Sequence, residues 1–140
     1  MSGHANTHAL ILGGTQGLGL AIAQELRAQG CRKLVIAARD SEKGQAVAAS
    51  IGAQFLPVDL GDVASVRRCV DSAAALMGQL DALCIAGAST DRGSILTATE
   101  GDFDQMFAVN TRGPFFAIQR TAQLAQAAGH PASRAIAESW

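Results

Sequence analysis

The sequence predicts an α/β fold in which a doubly wound parallel sheet carries helices on both faces. Three observations predict it. Continuous apolar runs at His8–Leu12, Lys33–Ala38, 54–58 and 80–86 alternate with helical segments, the order expected of strands buried on both faces and joined by crossover helices. A glycine-dense turn at 13–19 separates the first apolar run from the first helical segment. The chain has 140 residues, 49% of them hydrophobic and only 16% charged. That is enough for one globular domain with closely packed helices and argues against disorder.

Each element has its own signal. The run His8–Leu12 stops at Gly13-Gly14, a buried strand meeting a sharp turn. Leu18, Ala21, Ile22 and Leu26 then recur at helical spacing through Gln29, with Gly30 at the C-terminal end. Lys33–Ala38 reads as the second strand, and Asp40 or Ser41 caps a helix to about Ser50. Pro57 places the third strand, 54–58, at a sheet edge, where a missing N–H costs little. Asp62 caps a helix that carries Val63, Val66, Val70, Ala74 and Met77 on one face and closes at Gly78. The run at 80–86 is the fourth strand. After a loop at 87–97, Phe103, Met106, Phe107, Phe115, Ile118, Ala122 and Ala125 mark a helical stretch to about Ala128, which Pro114 is expected to bend or interrupt. With right-handed crossovers this is a Rossmann-like arrangement. Residues 129–140 show no strand pattern and are expected to form an irregular tail, leaving the fourth strand as an open edge.

Composition also narrows the partners. Eleven Lys plus Arg stand against twelve Asp plus Glu, a net charge of -1. No basic cluster exceeds Arg67-Arg68, so neither nucleic acid nor a membrane surface is an expected partner. Cys31, Cys69 and Cys84 have no metal-ligand spacing and lie in or beside apolar segments, as reduced thiols of a cytoplasmic protein do; no metal site is expected. The apolar run after the polar leader is too short for a signal peptide or membrane span.

The chemistry is expected at Gly13-Gly14-Thr15-Gln16-Gly17-Leu18-Gly19. Glycines in a strand-turn-helix setting permit the tight turn and bring backbone N–H groups close to a pyrophosphate at the helix N-terminus, with Gly17 nearest the phosphates. The spacing G-x-x-x-G-x-G resembles the cofactor loop of the short-chain dehydrogenase/reductase family, with Leu12 where the family has Thr. Further motifs follow in order. Asp59, with Leu60 beside it, resembles the family's adenine-contacting aspartate. The segment Leu80-Asp81-Ala82-Leu83-Cys84-Ile85-Ala86-Gly87 is similar to the fourth-strand signature ending Asn-Asn-Ala-Gly, one residue shorter and without the asparagines. Asn110, in Phe107-Ala108-Val109-Asn110-Thr111-Arg112-Gly113, resembles the Asn of the family's catalytic set.

The resemblance covers about residues 8–128. It implies strand order 3-2-1-4, a dinucleotide-binding unit at 1–128 truncated to about four strands, and a cofactor site at Gly13, Thr15, Gln16, Gly17, Leu18, Gly19, Arg39, Asp59, Leu60, Ala86 and Gly87. Arg39 follows the second strand, where a carboxylate would bind the adenosine ribose hydroxyls of NAD; a guanidinium there suits a 2′-phosphate, so NADP(H) is expected in preference to NAD(H). Gln16 adds no second positive charge.

The family's reaction is hydride transfer to or from a carbonyl or alcohol carbon. It uses a Tyr as acid/base, a Lys four residues later and a Ser, and only Asn110 of that set is matched here. The sequence has no Tyr, and its lysines are Lys33 and Lys43, so this chain is expected to bind cofactor without turning it over. His130 lacks a neighbouring base, His4 and His8 read as surface residues, and Ser89 and Ser94 as loop residues. Two alternatives stand beside that expectation: a noncatalytic module that pairs with a longer homologue, and one half of a split enzyme. The helical region 103–128, a dimer interface in the family, is where a homo- or hetero-oligomer is expected to form.

Overall fold

The computed structural model of the chain describes residues 3–90, 93–129 and 135–137. Strands β1 (His8–Leu12), β2 (Lys33–Ala38), β3 (Gln54–Pro57) and β4 (Ala82–Ile85) alternate with helices α1 (Gly17–Ala28), α2 (Ser41–Ile51) and α3 (Val63–Met77). These four strands pair in parallel in the order β3-β2-β1-β4. Pro57 does lie on an edge strand, where its missing N–H leaves no ladder bond unmade.

Double winding is visible along β1. Leu10 and Leu12 pack with Val66, Val70 and Ala117 on one face of the sheet, while Ala9 and Ile11 pack with Ala23 and Ala48 on the other. Leu10, Ile11 and Leu12 are fully buried, and each such side chain contributes roughly 1.5–3 kcal/mol by leaving water. The helix ends follow their local chemistry. The Asp40 side chain accepts from Lys43 N at 3.0 Å, the Asp62 side chain accepts from Ala64 N at 2.9 Å, and Gly78 closes α3 with φ 86°.

The fourth strand is not the open edge expected from the sequence. Residues Ala135–Ala137 form a short strand β5 that pairs in parallel with β4, Leu83 opposite Ala135 and Ile85 opposite Ala137. Three residues carry too little side-chain pattern to be read as a strand, and backbone groups alone supply the ladder.

The last helical stretch also differs. Helix α4 (Glu100–Phe107) begins before Phe103, on a capping box in which Asp102 N donates to Thr99 Oγ1 at 3.1 Å and Thr99 N donates to Asp102 Oδ2 at 2.8 Å. Hydrogen bonds to the Asp102 carboxyl from the Thr99 backbone N–H, the larger effect, and from the Thr99 hydroxyl hold it below the usual carboxylate range. A π-helical turn, Ala108–Arg112, then leads into α5 (Gly113–Ala127). The interruption therefore precedes Pro114, which sits in the first turn of α5. Proline cannot donate to the carbonyl four residues back, and a wider turn over the residues before it relieves that loss.

His8, read from the sequence as a surface residue, is the partly buried first residue of β1. Its Nδ1 lies 2.7 Å from Asp81 Oδ2, the same oxygen accepts from His8 N at 2.9 Å, and Asp81 N donates to His8 O at 2.9 Å, tying the starts of β1 and β4. Burial of the Asp81 carboxyl opposes its ionisation, but the bonds from His8 and Gln79, with the His8 charge, outweigh it and hold the group below its ordinary value. Among the described residues no helix is long and apolar enough to cross a membrane.

Candidate functional site

The site begins where β1 ends. Gly13 N donates to Ala37 O at 2.8 Å, tying the turn to β2, and Leu12 O accepts from Ala86 N at 2.8 Å and Gly87 N at 3.2 Å, tying it to β4. The turn thus stands at the carboxyl ends of β2, β1 and β4, at the point where the chain leaves β1 to both sides, the crevice in which open α/β sheets bind ligands.

Two glycines in the turn have different work. Gly13 has φ 84°, and a Cβ there would strike the Gly87 backbone, so the absent side chain lets the ends of β1 and β4 meet. Gly17, at the start of α1, has φ 54°, and a Cβ there would meet nothing within 4 Å. Its bare Cα borders open space at a helix N-terminus. Helix α1 has no acidic residue in its first turn and no side-chain cap from Gln16, so its positive end and first N–H groups remain available to an anion. Thr15 is buried beneath the turn, while Gln16, Gly17 and Leu18 are exposed and Gly19 is buried against it. A cradle of this shape and polarity fits a dinucleotide pyrophosphate.

The other expected residues gather round the turn. Leu60 is buried, and its Cδ1 would lie 2.7 Å from a Cβ on Gly87, so Leu60 packs directly against that glycine. Ala86 and Gly87 are half-buried. The Asp59 carboxylate is exposed and accepts from Gly61 N at 2.9 Å, which fixes the turn after β3. Asn110 lies in the π-helical turn. It accepts from Ser89 N at 2.8 Å and donates through Nδ2 to Ser89 O at 2.7 Å, clamping the loop that follows β4. Ser89 is therefore held through its backbone, and Ser94 sits in a tight turn with Thr97. His130 lies outside the described residues.

Arg39 is exposed one residue past β2 and lines a groove of about 580 Å³ with Val58, Asp59, Ser65, Arg68 and Ser72. As its place in the sequence suggested, the Asp40 carboxylate is turned into the α2 cap and does not compete for this space. Two cations near the site went unnoticed in the sequence. Arg68 lines the same groove, three residues after Ser65 on one face of α3, a spacing that helical periodicity would have revealed. Lys43 Nζ donates to Gln16 Oε1 at 2.7 Å across the gap between α2 and the glycine turn, and nothing local in the sequence signals that contact. Cys69, also on the groove, has its thiol pushed up to about 12 by burial, which disfavours the thiolate.

Comparison with known proteins gives one family. A family model described as short chain dehydrogenase matches residues 7–130. The chain is 32% identical over 113 residues to tetrahydroxynaphthalene reductase of Pyricularia oryzae, covering 77% of this chain and 40% of that protein. It is 35% identical over 123 residues to sorbitol dehydrogenase of Cereibacter sphaeroides, covering 86% and 48%. Among solved structures, a short chain dehydrogenase from Burkholderia cenocepacia in complex with NADP matches with TM-score 0.77 and 34% identity, over 84% of this chain and 50% of that one. The chain thus spans half the length of these relatives or less.

Proposed function

Because the chain belongs to the short-chain dehydrogenase family, a family of oxidoreductases, we propose that it binds a nicotinamide dinucleotide on the turn at Gly13–Gly19, with NADP(H) preferred over NAD(H). The open space above Gly17 at an uncapped, acid-free helix N-terminus carries this reading. Arg39 supports the 2′-phosphate preference: it is exposed at the end of β2, has no ion-pair partner among the described residues, and Asp40 faces away from it. When bound, the nicotinamide would supply or accept the hydride. The residues here bind and orient the adenosine half, and with no Tyr and no Lys beyond Lys43 these 140 residues do not complete proton transfer to a carbonyl.

A titration tests both parts. NADPH is expected to bind about tenfold or more tightly than NADH, and Arg39→Met to remove most of that difference, the effect of losing a charge-assisted guanidinium–phosphate contact. Equal affinities in the parent chain would sink the 2′-phosphate assignment. NADPH oxidation with a panel of ketones above the rate of denatured protein would sink the claim of inactivity.

A second reading concerns association. Phe103 and Phe107 stack with ring centroids 4.4 Å apart, and these two and Phe115 are more than half exposed on α4 and α5. We propose that this aromatic surface pairs with a second copy of the chain. Sedimentation equilibrium is expected to show a dimer, and a monomer for Phe107→Glu; a parent that stays monomeric at all concentrations removes this reading.

A further inference from the structure

We propose a second binding site at the opposite end of the sheet from the glycine turn. It is a groove between α1 and β4 that takes a small primary amine, with the apolar body on the groove floor and the ammonium on the Asp81 carboxylate.

The groove holds about 740 Å³, more than the one beside Arg39 and within the range of small-molecule sites. Its place follows from the layers. On this face of the sheet, α1 and α2 pack over β1, β2 and β3. Ile22 and Leu26 of α1 wall the groove on one side, and Ala9, Ala82 and Cys84 form its floor. These three floor side chains are short, so the space between helix and strand stays open. Residues 3–7, ahead of β1, border it. An apolar body laid along this floor removes apolar surface of both partners from water.

The polar end of the groove selects the sign of charge. Asp81 supplies its one carboxylate, and no Lys or Arg among the described residues lines it. His4, also on the groove, has its Nδ1 3.3 Å from Thr7 Oγ1. The carboxylate is oriented before any ligand arrives. His8 N donates to Oδ2 at 2.9 Å, His8 Nδ1 lies 2.7 Å from the same oxygen, and Gln79 Nε2 donates to Oδ1 at 2.8 Å. Each carboxylate oxygen has about two lone pairs, so Oδ1 keeps one for a further donor. An ammonium makes a charge-assisted bond there, whereas an anion meets the carboxylate with no Lys or Arg to offset it. The five residues of β1, roughly 17 Å at about 3.3 Å per residue, separate Asp81 from the glycine turn. Both sites can therefore be filled at once.

The test titrates the whole isotope-labelled chain with phenethylamine and with phenylpropionate, which share a ring and carry opposite charges, and follows amide shifts by nuclear magnetic resonance. Phenethylamine is expected to bind with a dissociation constant of about 1 mM or below and phenylpropionate at least about tenfold more weakly. The shifts are expected in β4 and residues 3–7, with Gly13–Gly19 unmoved. Asp81→Asn is expected to weaken the amine about tenfold, the size of one charge-assisted contact, and to remove the preference for it. Ala82→Phe fills the groove with Asp81 in place, and is expected to abolish amine binding while NADPH binds as to the parent. If Asp81→Asn unfolds, the amine–acid comparison on the parent and the Ala82→Phe variant decide. No shift up to about 10 mM amine, equal affinity for amine and acid, shifts confined to the glycine turn, or parent-like amine binding by Ala82→Phe would each overturn the proposal. A dimer that Ala82→Phe dissociates would give the groove to a second copy and overturn it too. NADPH binding is read separately, so none of these failures touches the dinucleotide reading.

Discussion

Gly17→Asp is expected to lose at least about a hundredfold in NADPH affinity, roughly 2.7 kcal/mol, while the chain stays folded with a melting temperature close to the parent's. The two effects separate because of where Gly17 stands. Its φ of 54° is left-handed, a conformation that Asp adopts at a cost of about 1–2 kcal/mol, less than most side chains. No atom lies within 4 Å of the new Cβ, so there is no packing clash to add. A carboxylate in the first turn of α1, where no acidic residue now stands, returns about 0.3–1 kcal/mol by its interaction with the helix N-terminus. Binding has no such compensation, since the carboxylate fills the space the phosphates need and repels them. Calorimetric titration beside a thermal melt checks the separation. A variant that binds like the parent places the pyrophosphate elsewhere, and one that fails to fold shows that the glycine serves the turn alone.

Four residues earlier the same kind of change should break the fold instead. Gly13→Ala places a methyl group against Gly87 N, Gly87 Cα and Ala86 C. These are backbone atoms, and they are held by the bonds from Ala86 N and Gly87 N to Leu12 O. Moving them breaks the contact between β1 and β4 at the site, and a φ of 84° adds its own strain. About 3 kcal/mol or more of destabilisation is expected, combining backbone strain with overpacking, a large share of a small domain's stability. Urea denaturation followed by far-ultraviolet dichroism measures it, and a midpoint within error of the parent's would show that the two strand ends can separate freely. Together the two variants distinguish a glycine that holds the sheet from one that leaves room for a ligand.

The parts of this molecule that can be read from the sequence are those whose cause is local. Asp40, Asp62 and Gly78 mark helix ends because capping is settled within a few residues. Pro57 marks the edge strand because it lacks an N–H. The glycine turn is legible because φ values of 84° and 54° at Gly13 and Gly17 favour glycine on local backbone grounds. The capping box at Thr99 and Asp102 is equally local, and a pattern search for it would have started α4 at the right residue. Other features arise between residues far apart in the chain. Strand β5 depends on backbone pairing with β4, the widened turn at Ala108–Arg112 on how the helix accommodates Pro114, and the His8–Asp81 pair on two strands being neighbours.

The site divides in the same way. From the amino-acid order alone came the class of fold, the glycine turn proposed to receive phosphate, the guanidinium at Arg39, and the absence of any tyrosine in these 140 residues. Each is a matter of residue identity at a position, which needs no knowledge of neighbours in space. Only the folded chain could bring Lys43 to Gln16, set Arg68 beside Arg39, bind Asn110 to the Ser89 backbone and leave open space over Gly17. Distances between side chains on different elements depend on strand register and helix packing, and long-range contacts decide both.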